Sequence, residues 1–557
     1  MNRARRVVKY IATSIAMIAT AGILTYAVRD DFGLGRNMEL IVNMMRELST
    51  HYVDKLNPDE MMRNAADGMT SNLDPYTTYL SEEDMKEFEL ATTGKYGGIG
   101  ALIRKRGDYV VIAEPYKGSP ADRAGLKIGD KIVAIGKEDA KGFSTEQVSS
   151  RLKGDPNTNV KITVENLVDG KQRTLSIKRE RIAIPGIAYA GMVNDSIGYI
   201  RHADFTDGCY DDMRNTIERL RSGHNLKGLI LDYRNNGGGI LQEAVKIVSL
   251  FTPKGTEVVS TRGRVESENK VFRTELEPLL PEMPLVVLVN GHTASSSEIV
   301  AGALQDMDRA VVVGQKSFGK GLVQSSRPIG YDAYVKMTTA KYYIPSGRCI
   351  QNVDYSEHGS EARVVADSLI REFKTRNGRK VYDGGGIMPD VPMEAQYISR
   401  FAMTLYAMGL IDEFGDEYMK RHHSEPLDIR NFTISDEEYG RFVEFVKSRD
   451  VTYTSETRHA IEQLKKALEA DRFEGSLSTH IADLERELKD DTESNLRTYR
   501  DEIVESLNSN IVMRYHYSEG AIEHSLPEDR EVAVAVALLA NPKEYSEILS
   551  SRDTRRK

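Results

Sequence analysis

Three consecutive serines, Ser295, Ser296 and Ser297, follow the apolar run PLVVLVN and open the stretch SEIVAGALQDM, which reads as a buried helix. A hydroxyl there would sit at a helix N-terminus, where N–H groups without intrahelical partners can stabilise a developing oxyanion. That is acyl-transfer chemistry with serine as the nucleophile. The same residues also spell a helix cap. Ser295-Ser296-Ser297-Glu298 matches S-x-x-E, in which serine and glutamate satisfy each other's backbone N–H groups. The residues alone leave both readings open.

A nucleophilic serine needs a base. His292 lies three residues before Ser295 in a turn, with nothing to aim it. Lys320, in GQKSFGKGLVQSS, is the better candidate, because Gly319 and Gly321 let the backbone approach another segment closely. The next residues alternate as a strand, and a spacing of four would put Lys320 and Gln324 on one strand face. A lysine takes a proton only when neutral, which requires burial to lower its pKa from about 10.4. The stretch also imitates a phosphate-binding loop through Gly314, Gly319 and Lys320, but Gly321 stands where Ser or Thr should bind magnesium, and a strand comes next instead of a helix. Ser150-Arg151-Leu152-Lys153 spells S-x-x-K without the partner motifs of that enzyme class. His422-His423 is an isolated doublet with no third ligand nearby in sequence, so neither metal nor cofactor is expected.

The elements that must hold these residues can be read from periodicity. Residues 37 to 90 read as short amphipathic helices, with Leu40, Met44, Met45 and Leu48 at helical spacing. From about Tyr96 the period shortens to two in YVVIAEP, DKIVAIG and VKITVEN, a mostly β module that ends near Lys178. Between Ile182 and Met393 strands alternate with helices, which implies βαβ units, a largely parallel sheet, and chemistry in loops at the carboxyl ends of its strands. After Met393 the chain turns charged and helical, as in Ile461, Leu464 and Leu468 or Ile481, Leu484 and Leu488.

Four ordered blocks, LDYRNNGGGILQEAV, TASSSEIVAGALQD, VGQKSFGKGLVQ and AKYYIPSGRCIQ, resemble the carboxyl-terminal processing peptidases, also called tail-specific proteases, over about residues 70 to 395. The resemblance implies Ser295 as nucleophile, Lys320 as general base and Gln324 as the residue that orients it. It implies an oxyanion hole from the N–H of Ser296, which stands where the family commonly has alanine, and from Gly238, with Gly239 the alternate. One serine would attack, one lend its N–H, and one face or cap the helix. The β module resembles a PDZ domain in YGGIGALI, GSPADRAGLKIGDKIVAI and STEQVSSRLKG. Such a domain adds a peptide to a sheet edge and captures its terminal carboxylate with backbone N–H groups, here those of Gly98, Ile99 and Gly100.

The implied fold is a multi-domain α/β protein. It has a membrane segment or signal over 1–29, a helical lead-in over 30–90, a PDZ-like domain over 91–178, a crotonase-like α/β core over 179–395 and a helical domain over 396–557. The implied activity is that of a serine endopeptidase acting on protein C-terminal tails. A non-catalytic peptide-binding scaffold and a crotonase-like acyl-thioester enzyme are the alternatives; both Ser295 and Lys320 are present, against the first, and the PDZ module argues against the second.

The net charge of −9 is uneven: Arg3, Arg5, Arg6, Lys9 and Arg29 are the only charged residues among the first 29, so the remainder is more acidic than the whole. A nucleic-acid partner is not expected. From Tyr10 to Val28 no charge occurs, a length of about 28 Å as helix, enough to cross a bilayer. The basic flank places the chain beyond Arg29 outside the cytoplasm, on the periplasmic side of an inner membrane, with Ala19-Thr20-Ala21 as the alternative cleavage site. Cys209 and Cys349 make no disulfide framework, and a homo-oligomer is left open.

Overall fold

The structure is a computed structural model and describes residues 33–355, 363–449, 451, 453–471, 477–488 and 491–550. The expected membrane segment lies outside the described residues; among them, no helix is long and apolar enough to cross a membrane. The chain divides into two units. Of the described residues, the smaller holds 33–82, 325–338 and 355. It contains a helix over 33–51, the helix Pro58–Thr70, and the strand Thr78–Leu80 antiparallel to residues 334–336. The apolar stripe of the first helix forms as the spacing predicts, and Leu40, Met44 and Leu48 are exposed on it.

The larger unit is built around a six-stranded sheet in the order Ile187–Met192, Ile197–His202, Gly228–Asp232, Leu285–Val289, Val311–Gly314 and Val391–Pro392. The first pair is antiparallel and the rest are parallel. The central strands are buried on both faces, as continuous apolar runs require. Leu229, Leu231, Leu285, Val287 and Val312 point into a core shared with the helices Cys209–Gly223, Leu241–Ser249 and Ser296–Asp306. Ile230, Val286, Leu288, Val311 and Val313 point the other way, against Leu526, Val532, Ala535 and Leu538. That second layer comes from the end of the chain: the helices Arg530–Ala540 and Pro542–Leu549 cover the sheet, and Tyr545 Oη both donates to Leu285 O (2.9 Å) and accepts from its N–H (3.0 Å).

The β module is a sheet in the order Ala101–Arg106, Tyr109–Pro115, Lys131–Ile135, Asn159–Glu165 and Gln172–Lys178, closed by the helix Thr145–Leu152 over Val110, Ile112, Ile132, Ile162 and Val164. Ser144 caps that helix in a reciprocal capping box with Gln147. Ala101–Arg106 is an edge strand, paired only with Tyr109–Pro115 among the described residues. The helices Arg400–Ala407, Leu410–His422 and Asp436–Lys447 and the first part of Arg500–Ser525 pack around Phe401, Leu405, Phe414, Phe442, Ile503 and Ile511. They also hold the β module: Arg104 and Arg106 of its edge strand pair with Asp412 and Asp416, which the buried Arg514 shares. The helix Arg500–Ser525 breaks at Tyr517, whose φ of 61° and ψ of −172° are not helical. The break lets Tyr517 Oη reach Asp122 (2.9 Å) and Ser518 N–H reach Glu114 (2.9 Å).

Candidate active site

The strands Gly228–Asp232, Leu285–Val289 and Val311–Gly314 are adjacent and parallel, so the loops after them emerge side by side at one sheet edge, where open α/β sheets bind ligands. Asn236 stitches the first two loops together. It is fully buried; its Oδ1 accepts Gly238 N–H (2.8 Å), its Nδ2 donates to His202 O (2.7 Å), and its carbonyl accepts Ala294 N–H and Ser297 Oγ, both at 3.0 Å. Ser296 Oγ donates to Gly239 O at 2.9 Å. Two of the three serine hydroxyls thus hold the glycine loop, and both residues are sealed from solvent.

Ser295 differs. It is half-buried, and it turns the chain from strand to helix with φ 56° and ψ −117°, a conformation that costs a non-glycine residue about 1–3 kcal/mol and persists only where the surroundings over-determine it. They do: its N–H donates to Glu298 Oε2 (2.9 Å), and its carbonyl accepts from Ile299 N–H (3.0 Å) and Tyr342 Oη (3.2 Å). A serine on such a turn presents its hydroxyl outward.

Glu298 joins this turn to the lysine loop. Its carboxylate, fully buried in the first helical turn, accepts Ser295 N–H and Lys320 N–H on one oxygen (both 2.9 Å), and Gly319 N–H (2.7 Å) and Ser317 Oγ (2.5 Å) on the other. Burial pushes its pKa above the ordinary 4.5, and the four donors oppose that rise. The S-x-x-E pattern signalled the glutamate as a cap; its reach to a loop some twenty residues ahead had no local signal. Gly319, at φ 87°, is demanded by packing, since a side-chain carbon there would lie 2.5 Å from Asn352 Cβ. The half-buried Lys320 stands in the loop, ahead of the strand Leu322–Gly330 that carries Gln324. The expected common strand face is therefore corrected: Lys320 is placed by Glu298 through its backbone, Gln324 by the strand.

Gly238 lies against the serine turn, where an added side-chain carbon would be 2.7 Å from Ser295 Cβ and from Ser296 N. Its N–H, expected to face an oxyanion, is instead given to Asn236 Oδ1 in this structure (2.8 Å). Ser296 opens the helix and holds one of its orphan N–H groups. Also unforeseen is Arg234, which binds Asp232 (2.6 Å), itself buried and hydrogen-bonded by Tyr199 Oη (2.5 Å).

In the β module, Gly98 pairs with Glu180, the Ile99 side chain is buried in the core, and the carbonyls of Ile99 and Gly100 accept Ala121 and Tyr116 N–H groups. Ile99 thus offers a ligand only backbone, whereas the side chain of Leu102, on the edge strand, is exposed. Cys209 and Cys349 are unpaired.

Peptidase family S41 matches residues 196–358, a PDZ domain matches 111–166, and the C-terminal helical domain of a probable PDZ-protease matches 401–539. A carboxy-terminal-processing protease of Bartonella bacilliformis is 35% identical over 314 residues, 56% of this chain and 72% of that one. A probable CtpA-like serine protease of Staphylococcus aureus is 34% identical over 315 residues, 56% of this chain and 62% of that one. The solved photosystem II D1 C-terminal processing protease is 26% identical, covering 64% of this chain and 87% of that one with a TM-score of 0.33. The chain belongs to the carboxyl-terminal processing serine peptidases.

Proposed function

We propose that this peptidase cuts proteins through a Ser295–Lys320 acyl-enzyme mechanism on a crotonase-like core. Neutral Lys320 Nζ takes the hydroxyl proton as Ser295 Oγ bonds to the substrate carbonyl carbon, with Gln324 orienting the amine. The oxyanion is held by Ser296 N–H, and by Gly238 N–H once Asn236 releases it. Lys320 returns the proton to the departing amine as the C–N bond breaks. Water then attacks the acyl carbon, giving a proton to Lys320; as the C–Oγ ester bond breaks Lys320 passes that proton to Ser295 Oγ, and the carboxylic acid released ionises to a carboxylate, leaving free Ser295 and neutral Lys320. The observation that carries this reading is the shared Glu298 oxygen, which fixes the backbones of Ser295 and Lys320 at once, while Ser295 is the one serine of three open to solvent.

The substrates are proteins with exposed C-terminal tails. The tail adds a strand beside Ala101–Arg106, its carboxylate meets N–H groups around Gly98 to Gly100, and its apolar terminus meets Leu102. The charge-free run after a basic flank supports action on the periplasmic side of an inner membrane. The test incubates the protein with an unfolded substrate bearing a free or an amidated C-terminus. Ser295→Ala and Lys320→Ala should each abolish cleavage with the fold intact, and amidation should slow the wild type. Full cleavage by Ser295→Ala sinks the mechanism; binding without cleavage by the wild type favours a scaffold.

A further inference from the structure

The helices after Met393 carry no motif that the peptidase chemistry uses, yet their last part reaches the site. Asp529 caps the helix Arg530–Ala540, accepting Val532 N–H (3.0 Å), and Glu531 stands in its first turn. Glu531 Oε2 accepts Arg234 Nη1 (2.8 Å), and its Oε1 accepts Gln315 Nε2 (2.7 Å). Arg234 belongs to the loop that carries Gly238, and Gln315 to the loop that carries Lys320. One carboxylate therefore spans both loops from the far side of the sheet.

The span is rigid. Arg234 is also bound by Asp232 (2.6 Å) and Asp529 (2.7 Å), so its guanidinium is fixed on three sides, and only 13% of its side chain is exposed. The helix that carries Glu531 is seated by Val532, Ala535 and Leu538 on Ile230, Val286, Leu288, Val311 and Val313, residues of the three strands whose loops form the site. It rides with those strands and cannot shift without unseating this core.

We propose that Glu531 is a positioning residue of the peptidase. It sets the glycine loop and the lysine loop against each other, which makes the C-terminal helices part of the catalytic apparatus. This rests on the Ser295–Lys320 mechanism. Glu531 touches neither substrate nor reacting atoms; it acts through Arg234 and Gln315. Without it the two loops keep their links to the serine turn through Asn236 and Glu298 and lose the direct bridge between them, and a misplacement of about 1 Å can cost on the order of 100-fold in rate.

The test uses the chain with its catalytic core and C-terminal helices intact. It reads kcat and KM per active site, with active sites counted by a fluorophosphonate that labels nucleophilic serines. Glu531→Ala should lower kcat per labelled site roughly 10- to 100-fold with KM within about threefold. Glu531→Gln, which keeps an acceptor for one of the two partners, should recover part of that loss. Gln315→Ala breaks the other end of the bridge without removing any of the three carboxylates around Arg234; it should reproduce the loss, and the double variant should add little to either single one. A merely structural role would instead reduce the count of labelled sites or the Tm while leaving kcat per site unchanged, and that result overturns the proposal. Fully additive losses overturn it as well. If Ser295→Ala keeps full activity, the dyad reading has failed; if Ser295→Ala is inactive and Glu531→Ala is normal per site, the positioning role alone has failed.

Discussion

Gly237 and Gly238 are neighbours in sequence and opposite in what they tolerate. At Gly238, φ is 97°, and an added side-chain carbon would lie 2.7 Å from each of Ala294 O, Ser295 Cβ and Ser296 N. None of these is the far end of a flexible side chain. The left-handed conformation costs a non-glycine residue roughly 1–2 kcal/mol, and forcing a methyl into packed surroundings costs about 1–3 kcal/mol more. Gly238→Ala should therefore lose about 2–5 kcal/mol, a fall in Tm on the order of 4–20 °C for a domain of 150–250 residues. The relief available is to push the glycine loop away from the serine turn, so kcat should fall at least ~100-fold in the molecules that still fold. Gly237 is exposed, has no positive φ, and an added carbon there meets nothing within 4 Å. Gly237→Ala should leave Tm unchanged or raise it slightly, by reducing the entropy of the unfolded chain. Thermal unfolding followed by circular dichroism, with fluorophosphonate labelling of Ser295, reads both effects. Wild-type Tm and wild-type labelling in Gly238→Ala would contradict this account, as would equal damage at both positions.

Ser296→Ala should cost about 1 kcal/mol, the bond to Gly239 O, and retain activity, because the Ser296 N–H remains; if labelling moves from Ser295 to Ser296 in the wild type, the assignment is wrong. For Glu298, burial raises the folded-state pKa, so stability from this group is full below about 4.5 and declines as pH rises through the raised value. Glu298→Gln should remove that part of the pH dependence of Tm and lose most activity by unsettling Ser295 and Lys320 together; an unchanged pH profile would count against it. His202 is buried against Phe205 and Tyr233, with ring centroids 4.4 and 5.4 Å away, and burial holds its pKa down at about 3. The unfolded chain then binds the extra proton below pH 6.5, so stability is lost as pH falls from 6.5 towards 3. His202→Leu should flatten that acid slope, seen in denaturant titrations at pH 7 and pH 4.5; an identical slope would show that His202 is not its source.

The elements and their order were legible in the amino-acid sequence. The apolar run PLVVLVN read as a strand and the S-x-x-E after three serines as a helix start, and Leu285–Val289 and Ser296–Asp306 form as those elements, because local periodicity and capping chemistry signal both. The four motif blocks picked out Ser295 and Lys320 as well. The contacts those elements make were settled at the level of the folded chain. That Val532, Ala535 and Leu538 cover Ile230 and Val311 had no signal in the sequence, because apolar burial is non-directional and any apolar face satisfies it. The bonds of Arg234 to Asp529 and Glu531 cross almost 300 residues of chain, and no spacing encodes such a pair. Glu298 shows both halves of the matter. Its bond to Ser295 N–H is local and readable, whereas its bonds to Gly319 and Lys320 exist only because adjacent parallel strands deliver two loops to the same buried carboxylate, which must find donors there or stay out of the core.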